Sequence, residues 1–159
     1  TNLDTGDKSV QCGRMVDVLK LWMAWTASGD IGYEEHIDNI MSVSRHLRDE
    51  VVRREGEFIL VAEPQCTNVC FWFVPPSLSK EGAPEANSSE WRSVVHKAAA
   101  TVKERMQIKG SMMVGFQTIP LHNDPEPPNF FRMVIMAEKS CNADMAFVLD
   151  EISTLGSDL

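Results

Sequence analysis

The chain has 159 residues, of which 43% are hydrophobic and 24% charged, and its formal net charge is −8. This composition is typical of one globular domain with a real core and excludes a disordered or fibrous chain. The negative charge argues against broad binding to nucleic acid or anionic membranes. No apolar run approaches the roughly 20 residues that span a bilayer. The polar first residues lack a methionine and resemble no signal peptide, so we expect a piece of a longer protein.

Two helices are predicted in the first third of the chain. Apolar residues recur at helical spacing over 15–29, and a second such pattern covers 33–55. Trp22 and Trp25 stand at core spacing in the first helix, as does Trp91 in a later one. We therefore expect all three tryptophans to pack inside the protein.

After residue 55 the pattern becomes that of an α/β domain. The elements predicted, in chain order, are strands at 58–61 and 69–74, a helix at 90–108, strands at 112–119 and 130–136, and a helix at 144–155. Ser140 or Asn142 is expected to cap the last helix. The short gaps between paired strands favour antiparallel neighbours, so we expect a small sheet with helices on one face.

The four cysteines stand at positions 12, 66, 70 and 141. Cys66 and Cys70 have the spacing of a disulfide or metal pair, but Cys70 lies within an apolar run. Free cysteine is usually a small buried hydrophobe. We therefore expect structural thiols in a reduced, cytoplasmic protein and no metal site.

Three segments resemble a known family. They are residues 4–14, DTGDKSVQCGR; residues 67–78, TNVCFWFVPPSL; and residues 129–135, NFFRMVI. They resemble, in the same order and at similar spacings, the group II pyridoxal-phosphate-dependent decarboxylases, the family of the glutamate and cysteine sulfinate decarboxylases. The resemblance extends over essentially the whole chain.

The resemblance implies the C-terminal part of a type I pyridoxal-phosphate fold. Residues 1–55 would close the large cofactor-binding domain and supply a connecting helix, and residues 56–159 would form the small domain. It also implies pyridoxal 5'-phosphate as cofactor, an acidic amino acid as substrate, and a homodimer with each active site at the subunit boundary. Neither nucleic acid nor a membrane span is implied.

Arg132 is the candidate for substrate binding. A guanidinium pairs with a carboxylate through two parallel hydrogen bonds, and an arginine among apolar neighbours is costly unless it meets a partner. Strand alternation places it on the face of Phe130 and Val134, away from solvent if that face is packed. The residues alone favour a structural ion pair, for example with Glu138 or Glu151. The resemblance favours the substrate's side-chain carboxylate.

Gly13 is the candidate for cofactor binding, because a glycine lets a backbone N–H approach a phosphate closely. The residues alone fit a glycine at a helix start equally well, and the resemblance points to the phosphate of the partner subunit's cofactor. The lysine that forms the cofactor imine follows a histidine in this family. Lys97 follows His96, but in a helical context, so we expect the true lysine upstream of Thr1 and no catalytic residue in this chain.

The function implied is removal of the α-carboxylate from an acidic amino acid. Conversion of glutamate to γ-aminobutyrate is the first choice of reaction. The alternatives are a cysteine sulfinate or aspartate decarboxylase, or a non-catalytic relative that serves as an interaction module. Leu3 stands where many relatives have tyrosine, and the loop at 121–128 is longer and richer in proline than in typical glutamate decarboxylases. Both departures leave the choice among acidic substrates open.

Overall fold

The computed structural model describes residues 17–79, 83–120 and 124–159. Its elements are helix α1 (Asp17–Arg53), strands β1 (Phe58–Leu60) and β2 (Asn68–Phe73), helix α2 (Ser89–Lys109), strands β3 (Gly115–Gln117) and β4 (Phe130–Val134), and helix α3 (Asn142–Leu155). The described residues form two compact units, and the chain passes from the first to the second between Asp38 and Asn39. The predicted domain boundary near residue 55 stays a prediction.

The described part of the first unit is the beginning of α1. Gly29, the predicted stop of the first helix, has φ 68° and ψ 177°, and it interrupts the helical geometry without ending the element. Trp25 stacks on Tyr33 with ring centroids 4.6 Å apart. The expectation that Trp22 and Trp25 pack inside is wrong for this chain, because they are 62% and 44% exposed.

The second unit is built on a four-stranded sheet in the order β1-β2-β4-β3, and every neighbouring pair is antiparallel. The predicted antiparallel pairing is confirmed. β3 is shorter than predicted, three residues instead of eight, because pairing with β4 involves only Gly115–Gln117. The aromatic and β-branched residues of β2 suit a pleated surface that is buried on one side.

The core lies on one face of this sheet. Alternate residues of β2 and β4 point into it, and the second part of α1 packs against it together with α2 and α3, as predicted. The largest fully buried side chains are Phe71, Phe131, Leu47, Met106, Ile135, Met145, Leu149 and Ile152. Trp91 is also buried, in a smaller cluster with Val74 and Val95, which confirms its predicted packing role.

The helix ends follow ordinary capping chemistry. At the start of α2 the Ser88 side chain accepts a hydrogen bond from the Trp91 N–H, and Gly110 ends the helix with a left-handed φ of 68°. At α3 the predicted caps, Ser140 and Asn142, are wrong. Cys141 holds the cap position, where its N–H donates to Asp144 Oδ2 at 2.9 Å. Among the described helices, none is long and apolar enough to cross a membrane.

Candidate functional site

Arg132 lies in the middle of β4 on the sheet face opposite the core. Phe131 and Met133 point toward the core, and the alternation of the strand turns Arg132 outward. The sequence predicted the face correctly. Arg132 is exposed, however, because the packing that buries Phe130 on the same face does not extend to it. The guanidinium is thus held on a rigid strand with an open approach.

The two strands beside β4 place small residues next to Arg132. Cys70 of β2 and Gly115 of β3 are its direct cross-strand partners. Side chains directly opposite each other in an antiparallel pair stand on the same face, with Cβ atoms about 4.5–5.5 Å apart. Arg132 therefore has a thiol on one side and no side chain on the other.

The electrostatics leave Arg132 available for an anion. Within the described ranges it forms no ion pair with a carboxylate, whereas Glu151 is paired with Lys109 at 2.7 Å. The structural ion pair with Glu151 or Glu138 that the residues alone suggested is not formed. Burial raises the pKa of the Cys70 thiol and the nearby Arg132 charge lowers it, with burial the larger effect. The thiol is therefore neutral at neutral pH and does not compete as an anion.

The segment that leads into β4 is fixed by polar contacts. Trp72 Nε1 donates to the Pro128 carbonyl at 3.1 Å, and Thr118 Oγ1 donates to the Pro127 carbonyl at 2.8 Å. Arg92 on α2 pairs with Asp124 at 2.8 Å. These contacts hold residues 124–128 against β2, α2 and the residue that follows β3, and so they fix where β4 begins.

His96 and Lys97 lie in the middle of α2, in the helical context that the sequence predicted. The Asn129 N–H donates a hydrogen bond to the His96 ring, and the Asn129 side chain contacts both the ring and the carbonyl of His96. Asn129 immediately precedes β4. Lys97 is exposed on the helix surface. An imine-forming lysine needs an enclosed pocket that activates its amine, so Lys97 does not fit that role.

The predicted cofactor contact, Gly13, lies outside the described residues and stays a prediction. Across the described ranges, no group of three or more His, Cys, Asp or Glu side chains could hold a metal ion. The predicted substrate contact, Arg132, lies within the described residues, and its role in binding the substrate's acid group also stays a prediction.

The described cysteines are free thiols. Cys66 and Cys141 are exposed, so the expectation of buried structural thiols is wrong for them, and Cys70 is half-buried. Sequence reasoning missed Cys70 and Gly115 as neighbours of Arg132. Alternation along β2 was the available signal for Cys70, but the strand register that brings all three residues together cannot be read from a single sequence.

Comparison with known proteins identifies relatives along the whole chain. A family model described as "Pyridoxal-dependent decarboxylase conserved domain" matches residues 1–74. Human cysteine sulfinic acid decarboxylase is 49% identical over 99% of this chain and 30% of its own length. Human acidic amino acid decarboxylase GADL1 is 45% identical over 98% of this chain and 28% of its own length. The chain thus spans about 30% of the length of these relatives.

Solved structures agree with the fold. The crystal structure of mouse CSAD in its apo form superposes with a TM-score of 0.78 at 46% identity, over 99% of this chain and 31% of that one. A structure of Oryza sativa TDC with PLP and tryptamine reaches a TM-score of 0.64 at 21% identity, over 96% of this chain and 29% of that one. The latter likeness concerns the fold alone. The α/β fold class and the resemblance to the group II decarboxylases are both confirmed.

Proposed function

We propose that this chain, whose sequence places it with the pyridoxal-dependent decarboxylases, forms the part of such an enzyme that binds the acid side chain of the substrate. The observation that supports this most directly is Arg132, held outward on β4 without a carboxylate partner among the described residues. The complete enzyme is a longer polypeptide that uses pyridoxal phosphate, acts as a homodimer, and removes the α-carboxylate of an acidic amino acid.

The chemistry divides between cofactor and protein. Pyridoxal phosphate supplies the electron sink that makes loss of carbon dioxide feasible, and the protein supplies binding and orientation. Arg132 fixes the far end of the substrate through a bidentate, charge-assisted pair. Fixing that end restrains the rotation of the substrate and helps orient the bond that breaks.

Cysteine sulfinate or aspartate is a better first choice of substrate than glutamate. The relatives that are 45–49% identical are named cysteine sulfinic acid decarboxylase and acidic amino acid decarboxylase GADL1. We therefore place glutamate after these two.

The test is carbon dioxide release by the full-length polypeptide that contains this chain. It is loaded with pyridoxal phosphate and assayed on cysteine sulfinate, aspartate and glutamate side by side. Release from at least one substrate supports the proposal, and the ratio of kcat/KM values ranks the three. If the cofactor is bound and none of the three substrates releases carbon dioxide, the non-catalytic alternative is favoured.

Replacing Arg132 tests its role directly. Losing a bidentate ionic contact costs about 2–4 kcal/mol, so Arg132→Met is expected to lower kcat/KM for acidic substrates roughly 30- to 1,000-fold. Arg132→Lys keeps the charge but not the planar guanidinium. Its kcat/KM is expected to lie between that of the unmodified enzyme and that of Arg132→Met.

The matched control is Arg53→Met, which removes a 65% exposed arginine paired with Glu50 on α1. Arg53 is itself mostly exposed, and Arg54 remains 3.8 Å from Glu50 when Arg53 is replaced. This variant is therefore expected to behave like the unmodified enzyme. Circular dichroism and thermal melting verify the fold of all three variants. Unchanged turnover by a folded Arg132→Met enzyme would remove Arg132 from the site.

A further inference from the structure

We propose that Gly115 is a specificity-determining position, where the missing side chain leaves a slot beside Arg132 that admits a pyramidal sulfinate as well as a planar carboxylate. The inference rests on the proposed function, which assigns the substrate's acid group to Arg132. It adds a second residue, on a different strand, that decides which acid group reaches the guanidinium.

The space beside Arg132 is open because of Gly115. Apart from its two chain neighbours, a Cβ built at Gly115 would meet only the Arg132 carbonyl oxygen among the described residues, at 3.8 Å. Any side chain larger than alanine would extend from that Cβ along the face on which the Arg132 side chain stands. A side chain larger than alanine at position 115 would therefore fill this slot.

The backbone does not explain the glycine. Gly115 is not among the residues with positive φ, so other residues can adopt its conformation. Glycine inside a strand is unfavourable by roughly 0.5–1 kcal/mol relative to alanine, and in strands it often marks close approach of a ligand or another backbone. Neither the backbone conformation nor strand propensity requires glycine at position 115. The close approach of a ligand to Arg132 accounts for it.

The other residues around Arg132 and Gly115 are uncharged and held in place by the sheet. Phe116 packs toward the core opposite Phe131, which anchors β3 from the other face. On the far side of Arg132, the Cys70 thiol donates to Asn68 Oδ1 at 3.7 Å and forms an uncharged wall. β3 is an edge strand of the sheet. An acid group can therefore approach the guanidinium from the β3 side, over Gly115.

Cysteine sulfinate and aspartate form a matched pair of substrates, since both carry the acid group on the β-carbon and differ only in its shape. In the full-length holoenzyme, Gly115→Val is expected to raise KM for cysteine sulfinate roughly tenfold more than KM for aspartate, a discrimination that steric crowding of a pocket typically reaches. Gly115→Ala is expected to show the same trend more weakly. Because chemistry occurs away from the slot, kcat is expected to stay within a few-fold.

Gln117→Val is the matched control. Gln117 lies on the same face of the same strand, but its cross-strand partner is Phe130 rather than Arg132. The ratio of the two KM values is expected to be unchanged in this variant. Equal changes for both substrates in Gly115→Val, or none, would overturn the proposal and reduce Gly115 to a structural role.

A second readout does not depend on turnover. Methanesulfinate and acetate present the two acid groups alone, and either bound at Arg132 shields the neighbouring Cys70 thiol from maleimide. Peptide mass spectrometry measures alkylation of Cys70 relative to the exposed Cys66. Both anions are expected to protect Cys70 in the unmodified protein, only acetate in Gly115→Val, and neither in Arg132→Met.

This readout separates the two proposals. An unmodified enzyme that decarboxylates nothing yet shows this protection pattern would contradict the proposed function and support the slot. An active enzyme in which methanesulfinate protects Cys70 equally with and without Gly115→Val would support the function and refute the slot. Absence of protection by either anion in the unmodified protein would also refute it.

Discussion

Gly156, just after α3, lies against the ring of the buried Phe73. A Cβ at this position would overlap that ring, coming within 2.5 Å of Phe73 Cζ, and would lie 3.2 Å from the Ile152 carbonyl oxygen. The φ of Gly156 is −102°, which any residue adopts. The requirement for glycine here is therefore close packing and not backbone conformation.

Gly156→Ala is expected to destabilise the chain by about 1–3 kcal/mol, the usual cost of overpacking a core. Urea unfolding followed by circular dichroism measures it. In a Phe73→Leu background the added methyl has more room, so its penalty should be smaller, which is the non-additivity expected of residues in contact. Ser157→Ala, an exposed neighbour, serves as control. Equal penalties in both backgrounds would show that the Phe73 contact is not the cause.

At the scale of single residues, the sequence predicted which face of the sheet a side chain lies on better than it predicted the solvent exposure of that side chain. Period-2 alternation placed Arg132 opposite Phe131 and Met133, and the structure agrees. Its exposure depends on Cys70 and Gly115, which reach it only through the register of two other strands. Register is set by long-range pairing, which no local pattern in β4 contains.

At the scale of elements, helices α2 and α3 were predicted within two residues at each end, because strong amphipathic patterns end at capping residues. β3 was overestimated because Met112–Val114 and Thr118–Ile119 are as apolar or β-branched as a strand without being paired to one. The N-cap of α3 was missed because cysteine is not a usual cap. Asp144 compensates by accepting the cap N–H.

Two carboxylates near the end of the chain form ion pairs with basic side chains of α2. Lys109 Nζ lies 2.7 Å from Glu151 Oε1, and Arg105 Nη2 donates to Asp158 Oδ2 at 2.9 Å. These hydrogen bonds lower the pKa of both carboxyl groups. The folded-state pKa values lie below the unfolded ones, so the stabilisation is present above about pH 4 and is lost as the pH falls further.

Lys109→Met is expected to destabilise the chain at neutral pH, because it leaves the ionised Glu151, only 7% exposed, without its cation. As the pH falls through the lowered pKa of Glu151, this carboxyl becomes protonated, so the difference from the unmodified chain should narrow. Free energies of unfolding at several pH values measure this. Lys97→Met, which removes an exposed lysine from the same helix, should show no such dependence. A difference that stays constant with pH would mean that Lys109 acts only through packing.

At the scale of the whole molecule, the two units differ in how much apolar surface they bury. The second unit has a continuous core shared by its sheet and helices. The helix of the first unit exposes large apolar side chains on its surface, among them Val18 at 84%, Trp22 at 62% and Ile31 at 74%. Exposed apolar patches of this kind mark interaction sites or promote aggregation.

The 159-residue chain is therefore expected to self-associate when it is produced alone, because water exposure of these side chains is unfavourable by about 25 cal/mol per Å² of apolar surface. Sedimentation velocity at several concentrations measures this, and a piece covering residues 39–159 should remain largely monomeric. Within the full chain, Val18→Lys with Trp22→Lys should weaken association by placing charge in the patch. Ser28→Lys, which adds a charge without removing an apolar side chain, should weaken it less. A sharply melting monomer at every concentration would show that this helix is not the surface through which the chain associates.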